Sequence, residues 1–91
     1  EIHLLGIKIN DETYMKAILF LENLTKGRKV FLKFGEIKYD ENNHLLCYLY
    51  LKNKTFVNAH LIKNNLVDVD TTYDYKYKSR FLEHKRRSKD G

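Results

Sequence analysis

Two strand-like runs that meet at a four-residue polar turn constrain this chain more than any other feature. Val30, Leu32 and Phe34 alternate with Phe31 and Lys33 along Lys29 to Tyr39, the period-two pattern of a half-buried antiparallel strand. His44 to Leu51 reads as the returning strand, rich in aliphatic and aromatic residues that fit a pleated surface. Between them lie Asp40, Glu41, Asn42 and Asn43. Asn and Asp tolerate the left-handed backbone angles that a tight reversal demands. A hairpin is therefore expected over residues 29–51, with an imidazole, His44, where the turn re-enters the sheet. Gly35 marks a bulge or bend on its first strand.

The flanking segments add one strand and three helices. Ile2 to Ile9 is apolar and β-branched around Gly6 and reads as a single strand. Asn10-Asp11-Glu12 opens a helix, with Asn10 accepting a first-turn amide hydrogen bond and two carboxylates at the positive end of the helix dipole. Tyr14, Ala17, Ile18, Leu21 and Leu24 recur at three- and four-residue steps as its buried face, and Gly27 ends it in the left-handed conformation. After a turn at Lys52-Asn53-Lys54, Thr55 caps a helix from Phe56 to Asn64 that buries Val57, Leu61 and Ile62. Asn65 stands where a left-handed residue is wanted after that helix. Val67 and Val69 are extended, and a last helix from Tyr75 to Ser88 buries Tyr77, Phe81 and Leu82.

The order β-α-β-β-α-α, with short turns and strands segregated from helices, predicts an α+β fold built as a small β-barrel. No proline, repeat or low-complexity tract divides the chain, so residues 1–91 are expected to be one domain. Three strands cannot close a barrel, and the five-stranded OB type needs two more. The expectation is a chain that begins mid-domain, or whose sheet is completed by upstream strands, a second copy or another partner. Left bare, Ile2–Ile9 would be a pairing-prone edge.

Composition narrows the function. No apolar run approaches the roughly 20 residues of a membrane helix. Glu1 is not a Met, which points to a processed piece and leaves an upstream signal or anchor open. The single Cys47 excludes an internal disulfide and a cysteine-built zinc site, and mid-strand it reads as a buried thiol. Residues 76–91 hold Lys76, Lys78, Arg80, Lys85, Arg86, Arg87 and Lys89 against Glu83 and Asp90, which accounts for the whole formal net charge of +5. Such an end attracts polyanions through counterion release; a solvated terminal helix is the alternative. Of the aromatic residues, Tyr14, Phe20, Phe31, Phe34 and Tyr48 are assigned to the core or its margin. Tyr39, Tyr50, Tyr73, Tyr75 and Tyr77 are the better candidates for a groove where bases of a single strand could stack, with simple packing the alternative. His60 and His84 lie on helices without a ligand partner at useful spacing and read as surface residues.

Five stretches, in order, resemble the staphylococcal nuclease-like (thermonuclease) family. His3-Leu4-Leu5-Gly6-Ile7-Lys8-Ile9-Asn10-Asp11 resembles its RLIGIDTPE strand, and Lys16-Ala17 with Phe20-Leu21 its EA…FL helix. Gly27-Arg28-Lys29-Val30 is similar to its GKxV strand start. Asp40 through Leu51 is similar to DRYGRLLAYVYL, and Phe56-Val57-Asn58 to the V-N opening of its second helix. Tyr73 and the Phe81-Leu82 helix extend the likeness to nearly the whole chain.

The resemblance implies an OB-fold core and calcium-dependent phosphodiesterase chemistry. In that chemistry two arginines hold the phosphate, an aspartate pair binds the metal and a glutamate activates water. Guanidinium forks meet phosphate oxygens bidentately, and a hard cation takes carboxylate oxygens. Carried over residue by residue, the arginines fall on His3 and His44, the strand aspartate on Lys8 and the glutamate on Asp11, with Glu12 adjacent. The other metal aspartate belongs to the N-terminal hairpin that the match lacks. His3, Asp11 and His44 are thus the candidate catalytic positions, and Asp11 is also the candidate metal ligand. Lys8, Tyr73, Lys76, Lys78, Arg80, Lys85, Arg86 and Arg87 are the candidate nucleic-acid contacts. Imidazole cannot fork onto a phosphate, and Lys8 repels a cation.

The expectation is a catalytically degenerate nuclease-like module that binds DNA, RNA or another phosphate-bearing ligand, with no cofactor, or with calcium if it is active. The rivals are an endonuclease with an altered active site and a protein-interaction or oligomerisation module.

Overall fold

The structure, a computed structural model, describes residues 2–90, excepting the side chains of residues 89 and 90. In chain order its elements are β1 (Ile2–Leu4), β2 (Ile7–Lys8), α1 (Tyr14–Thr25), β3 (Val30–Lys33), β4 (Leu45–Leu51), α2 (Val57–Lys63), β5 (Asp68–Val69) and α3 (Lys78–Asp90). The expected hairpin forms, with β3 antiparallel to β4 and Val30 opposite Leu51. β1 lies on the other side of β4 and runs parallel to it, His3 opposite Leu46. β2 pairs antiparallel with β5 in a second, two-stranded sheet.

Gly6 is the reason the first apolar run is two strands and not one. Its φ of +83° turns the chain, and an added Cβ would stand 2.8 Å from the Phe81 ring and 2.9 Å from that of Tyr75. Its carbonyl accepts the Asp70 N–H at 2.9 Å, which ties the turn to the end of β5. The element order is therefore β-β-α-β-β-α-β-α, correcting the six-element expectation. The fold is α+β, with helices and sheets as expected. Among the described residues, however, the two sheets do not close into a barrel.

Helix starts also moved, because the polar side chains found other partners. Asn10 Oδ1 accepts the Glu12 N–H at 2.9 Å in a turn ahead of α1, which begins only at Tyr14. The Thr13 hydroxyl, at the N-cap position, donates to the Leu66 carbonyl at 2.7 Å and caps nothing. Thr55 bonds Asn53 Oδ1 at 2.6 Å, leaving Phe56 at the start of α2 without a side-chain cap. The left-handed positions hold as read: Gly27, Asn43 and Asn65 have φ of 67°, 65° and 56°.

The core gathers Leu5, Leu46, Tyr48, Leu51, Val57, Leu61, Ile62, Val67, Tyr75 and Phe81 between β4, α2 and α3. Cys47 is fully buried, and burial raises its thiol pKa. β3 corrects the expectation of a half-buried strand. Val30, Leu32 and Phe34 are 45%, 40% and 48% exposed, and Phe31, Tyr14 and Leu82 are exposed as well. The strand stops at Lys33, and among the described residues no helix makes extensive contact with it, so its alternating pattern has little layer to face. Tyr75, expected in a groove, is instead 4% exposed, its hydroxyl donating to the Asp70 carbonyl at 2.7 Å.

Asn58 is the one fully buried polar side chain described. Its Oδ1 accepts the Leu49 N–H at 2.8 Å, and its Nδ2 donates to the Leu5 carbonyl at 3.0 Å and the Cys47 carbonyl at 3.4 Å. Replacing it by leucine strands backbone groups in the core, each costing about 1–3 kcal/mol. Asn58→Leu is expected to lower unfolding stability by about 3 kcal/mol in urea titrations, far beyond a surface change.

Burial, then the nearby Asp70 charge, pushes the Tyr75 hydroxyl up to about 12. An unfolded tyrosine ionises near 10. The neutral hydroxyl therefore contributes stability that is whole below pH 10 and lost as the pH climbs toward 12. Tyr48 and Tyr50 are shifted the same way. Tyr75→Phe is thus expected to flatten, without abolishing, the fall of melting temperature between pH 9.5 and 11.5.

Candidate functional site

The turn that opens β4 builds a side-chain cluster from its own geometry. Asp40 Oδ1 accepts backbone N–H groups from Asn42 at 2.9 Å and His44 at 2.8 Å. With one carboxylate oxygen so held, the other, Oδ2, lies 3.1 Å from His44 Nδ1. The hydrogen bond from the His44 backbone N–H leads the causes that hold the Asp40 carboxyl below its ordinary value. β1 delivers the second imidazole. His3 stands opposite Leu46, two residues past His44, and side chains two apart share a sheet face. The two rings stack with centroids 4.3 Å apart and planes 15° from parallel.

His3, Asp40 and His44 each offer a ligand-type atom, and these atoms lie within 4.8 Å of one another. A polar cleft of about 110 Å³ opens beside them, lined by His3, Asp40, Glu41, Asp70, Thr72 and Tyr73 among others. The Tyr73 hydroxyl accepts the Glu41 N–H at 3.3 Å, fixing the far wall of the cleft to the turn.

Other expected positions stand apart. Asp11 is exposed in the turn before α1, outside the three-residue group. Lys8 is exposed on β2, opposite Asp68. On α3 the cations divide. Lys85 Nζ reaches Asp68 at 3.0 Å and the Val67 carbonyl at 2.9 Å, while Arg86 and Arg87 both pair with Glu83. Lys78 begins the helix and is half-buried. Arg80 and Lys76 instead sit over Tyr77, 5.3 and 5.5 Å from its ring centre. Tyr77 meets Phe56 edge-on at 5.0 Å, Phe56 stacks on Tyr50 at 4.6 Å, and Lys33 Nζ lies 5.3 Å over Tyr50. The result is a cationic aromatic face. His60 and His84 are half-buried, not fully surface-exposed, and burial leads the causes that depress the His84 pKa.

A sequence model of the family described as Staphylococcal nuclease homologue matches residues 8–90. The chain belongs to the staphylococcal nuclease family. A search of curated proteins found no match. The family match spans Asp11, Asp40 and His44 but begins after His3, whose assignment rests on the likeness of residues 3–11.

This cluster is not a calcium-type donor set, and the positions matched to the family's metal ligands, Lys8 and Asp11, lie outside it. Calcium takes six to eight oxygen ligands, whereas this cluster offers two imidazoles and a single carboxylate. Asp40, Lys33 and Phe56 were missed as site residues. Asp40 carried a signal, since an Asp and a His four apart across a reversal face one another once the Asp caps the turn.

The Lys85 contacts tie α3 to β5 with a lysine side chain only 12% exposed. Lys85→Ala is expected to lower stability by about 1 kcal/mol in chemical denaturation while leaving the Tyr77 face intact.

Proposed function

We propose that this chain is a staphylococcal nuclease-like module that binds nucleic acid and does not cleave it by the family's calcium chemistry. One observation carries the proposal. The two positions matched to the family's phosphate-holding arginines do converge, but as stacked imidazoles with a carboxylate 3.1 Å away. Phosphoryl transfer places charge on phosphate oxygens that permanent, forked cations stabilise, and losing one preorganised donor costs about 3–4 kcal/mol. Both donors are replaced here, while the Asp40 carboxylate matches the aspartate that opens the family's own DRYGR turn.

Binding is supported by the other face. Tyr50, Phe56 and Tyr77 present rings for base stacking, flanked by Lys33, Lys76 and Arg80 for the backbone. Lys85 contributes less, because Asp68 neutralises it, and Glu83 offsets one of the two charges of Arg86 and Arg87. We read the open sheets as an OB-type core in a single domain, completed by strands from another copy or from outside residues 1–91. Exposed Val30, Phe31 and Leu32 on β3, with Phe34 just after it, favour such pairing. Light scattering tests it: a strictly monomeric, stably folded chain speaks against completion by a second copy.

The binding test is fluorescence anisotropy with labelled oligo-dT and oligo-U, run beside a gel assay for cleavage with and without calcium. Three phosphate contacts weaken single-strand affinity roughly 20-fold between 50 and 200 mM salt. Lys33→Ala combined with Arg80→Ala is expected to flatten that dependence, and Lys85→Ala to leave it nearly unchanged. No retention at 50 mM salt sinks the binding function. Calcium-stimulated cleavage that His44→Ala abolishes establishes the altered nuclease instead.

A further inference from the structure

We infer that His3, Asp40 and His44 form a binding site for a divalent transition-metal ion of the zinc type. The inference goes beyond the nucleic-acid function and does not depend on it. Two imidazole nitrogens and one carboxylate oxygen are a borderline donor set, which suits zinc and its neighbours and not calcium or magnesium. Three protein ligands with the remaining positions left to water are a common zinc arrangement.

The scaffold is already in place for two of the three. Asp40 and His44 are carried by one turn, and two backbone amides hold the Asp40 carboxylate with Oδ2 toward the imidazole. Oδ2 exchanges its contact with the His44 ring for the metal when the ion enters. His3 comes from the neighbouring parallel strand, held in register by Ile2–Leu45 and Leu4–Cys47 pairing. The ligand atoms now span up to 4.8 Å. Zinc at ~2.0–2.2 Å from each ligand needs them about 3.4 Å apart. Binding on this geometry requires the exposed His3 ring to turn out of its stack on His44. His3 and Asp40 also line the cleft beside Tyr73 and Asp70. A bound ion supplies there a fixed positive charge.

The test is zinc titration of the metal-stripped 91-residue chain by calorimetry, with the melting temperature read in parallel. Cobalt substitution supplies an absorption signature of nitrogen-oxygen ligation. The expected result is one zinc per chain, a raised melting temperature and no response to calcium at equal concentration. His3→Ala and Asp40→Asn are each expected to weaken zinc at least about tenfold. Asp40→Asn retains an oxygen for the turn amides, and circular dichroism verifies folding. His84→Ala leaves affinity unchanged. Equal zinc affinity in the parent chain and His3→Ala overturns the inference, as does a calcium response stronger than that to zinc. Because the readouts are metal affinity and spectra, loss of oligonucleotide binding by Lys33 and Arg80 variants bears on the function above and not on this site.

Discussion

The Asn58 carboxamide is the contact on which the rest of the structure depends. From α2 it reaches the backbone of β4 at Leu49 and Cys47 and the chain leaving β1 at Leu5. A chain of 91 residues buries only just enough apolar surface to fold alone. Apolar contacts are non-directional and set no register by themselves. A fully buried amide is different, because it must be satisfied by particular donors and acceptors. Leu5 N–H to the Cys47 carbonyl at 2.8 Å continues the same junction. His3 lies two residues before Leu5, and His44 three before Cys47. The stacking of the two histidines is thus a consequence of where Asn58 locks β1 against β4.

What could be read from the residues divides by range. The reversal at Asp40–Asn43, the Gly27 terminus of α1 and the Asn65 terminus of α2 depend on local backbone angles, and each was legible. Gly6 was not. Its flanks are apolar on both sides, so no change of period marks the turn, and the rings that forbid a Cβ lie some seventy residues downstream at Tyr75 and Phe81. Asn10, Thr13 and Thr55 are chemically fit to cap. Their partners were decided by which acceptor or donor the fold brought nearest. Alternation along β3 correctly gave two faces, yet it cannot say whether a second layer covers either.

The site was legible in the same graded way. His44 stands out at a strand start, and His3 joins it through the family likeness. Asp40 was read as a turn former only, although the turn's use of one carboxylate oxygen is what aims the other at His44. Charge counting located the basic end of the chain and missed its pairing. Asp68 comes from β5 to meet Lys85, and Glu83 takes both Arg86 and Arg87. Lys33, from the balanced part of the chain, joins Lys76 and Arg80 instead, since the face it shares with Phe31 meets Tyr50 across β3 and β4.

Exchanging two arginines for histidines does more than subtract charge; it reverses what the position prefers. Guanidinium is always cationic and has no lone pair to give, so it holds anions and excludes metals. Neutral imidazole is a metal ligand, and the two here sit against a carboxylate whose backbone hydrogen bonds favour its charged form. That cluster therefore carries a held carboxylate beside its imidazoles, while the Tyr50–Phe56–Tyr77 face carries Lys33, Lys76 and Arg80. Screening separates the two. Exposed lysines and arginines lose their hold on a polyanion as salt rises, whereas coordinate bonds to an ion do not. On the proposals made above, the convergence of side chains matched to the family's arginines serves a cation, and the grip on phosphate lies with the aromatic face.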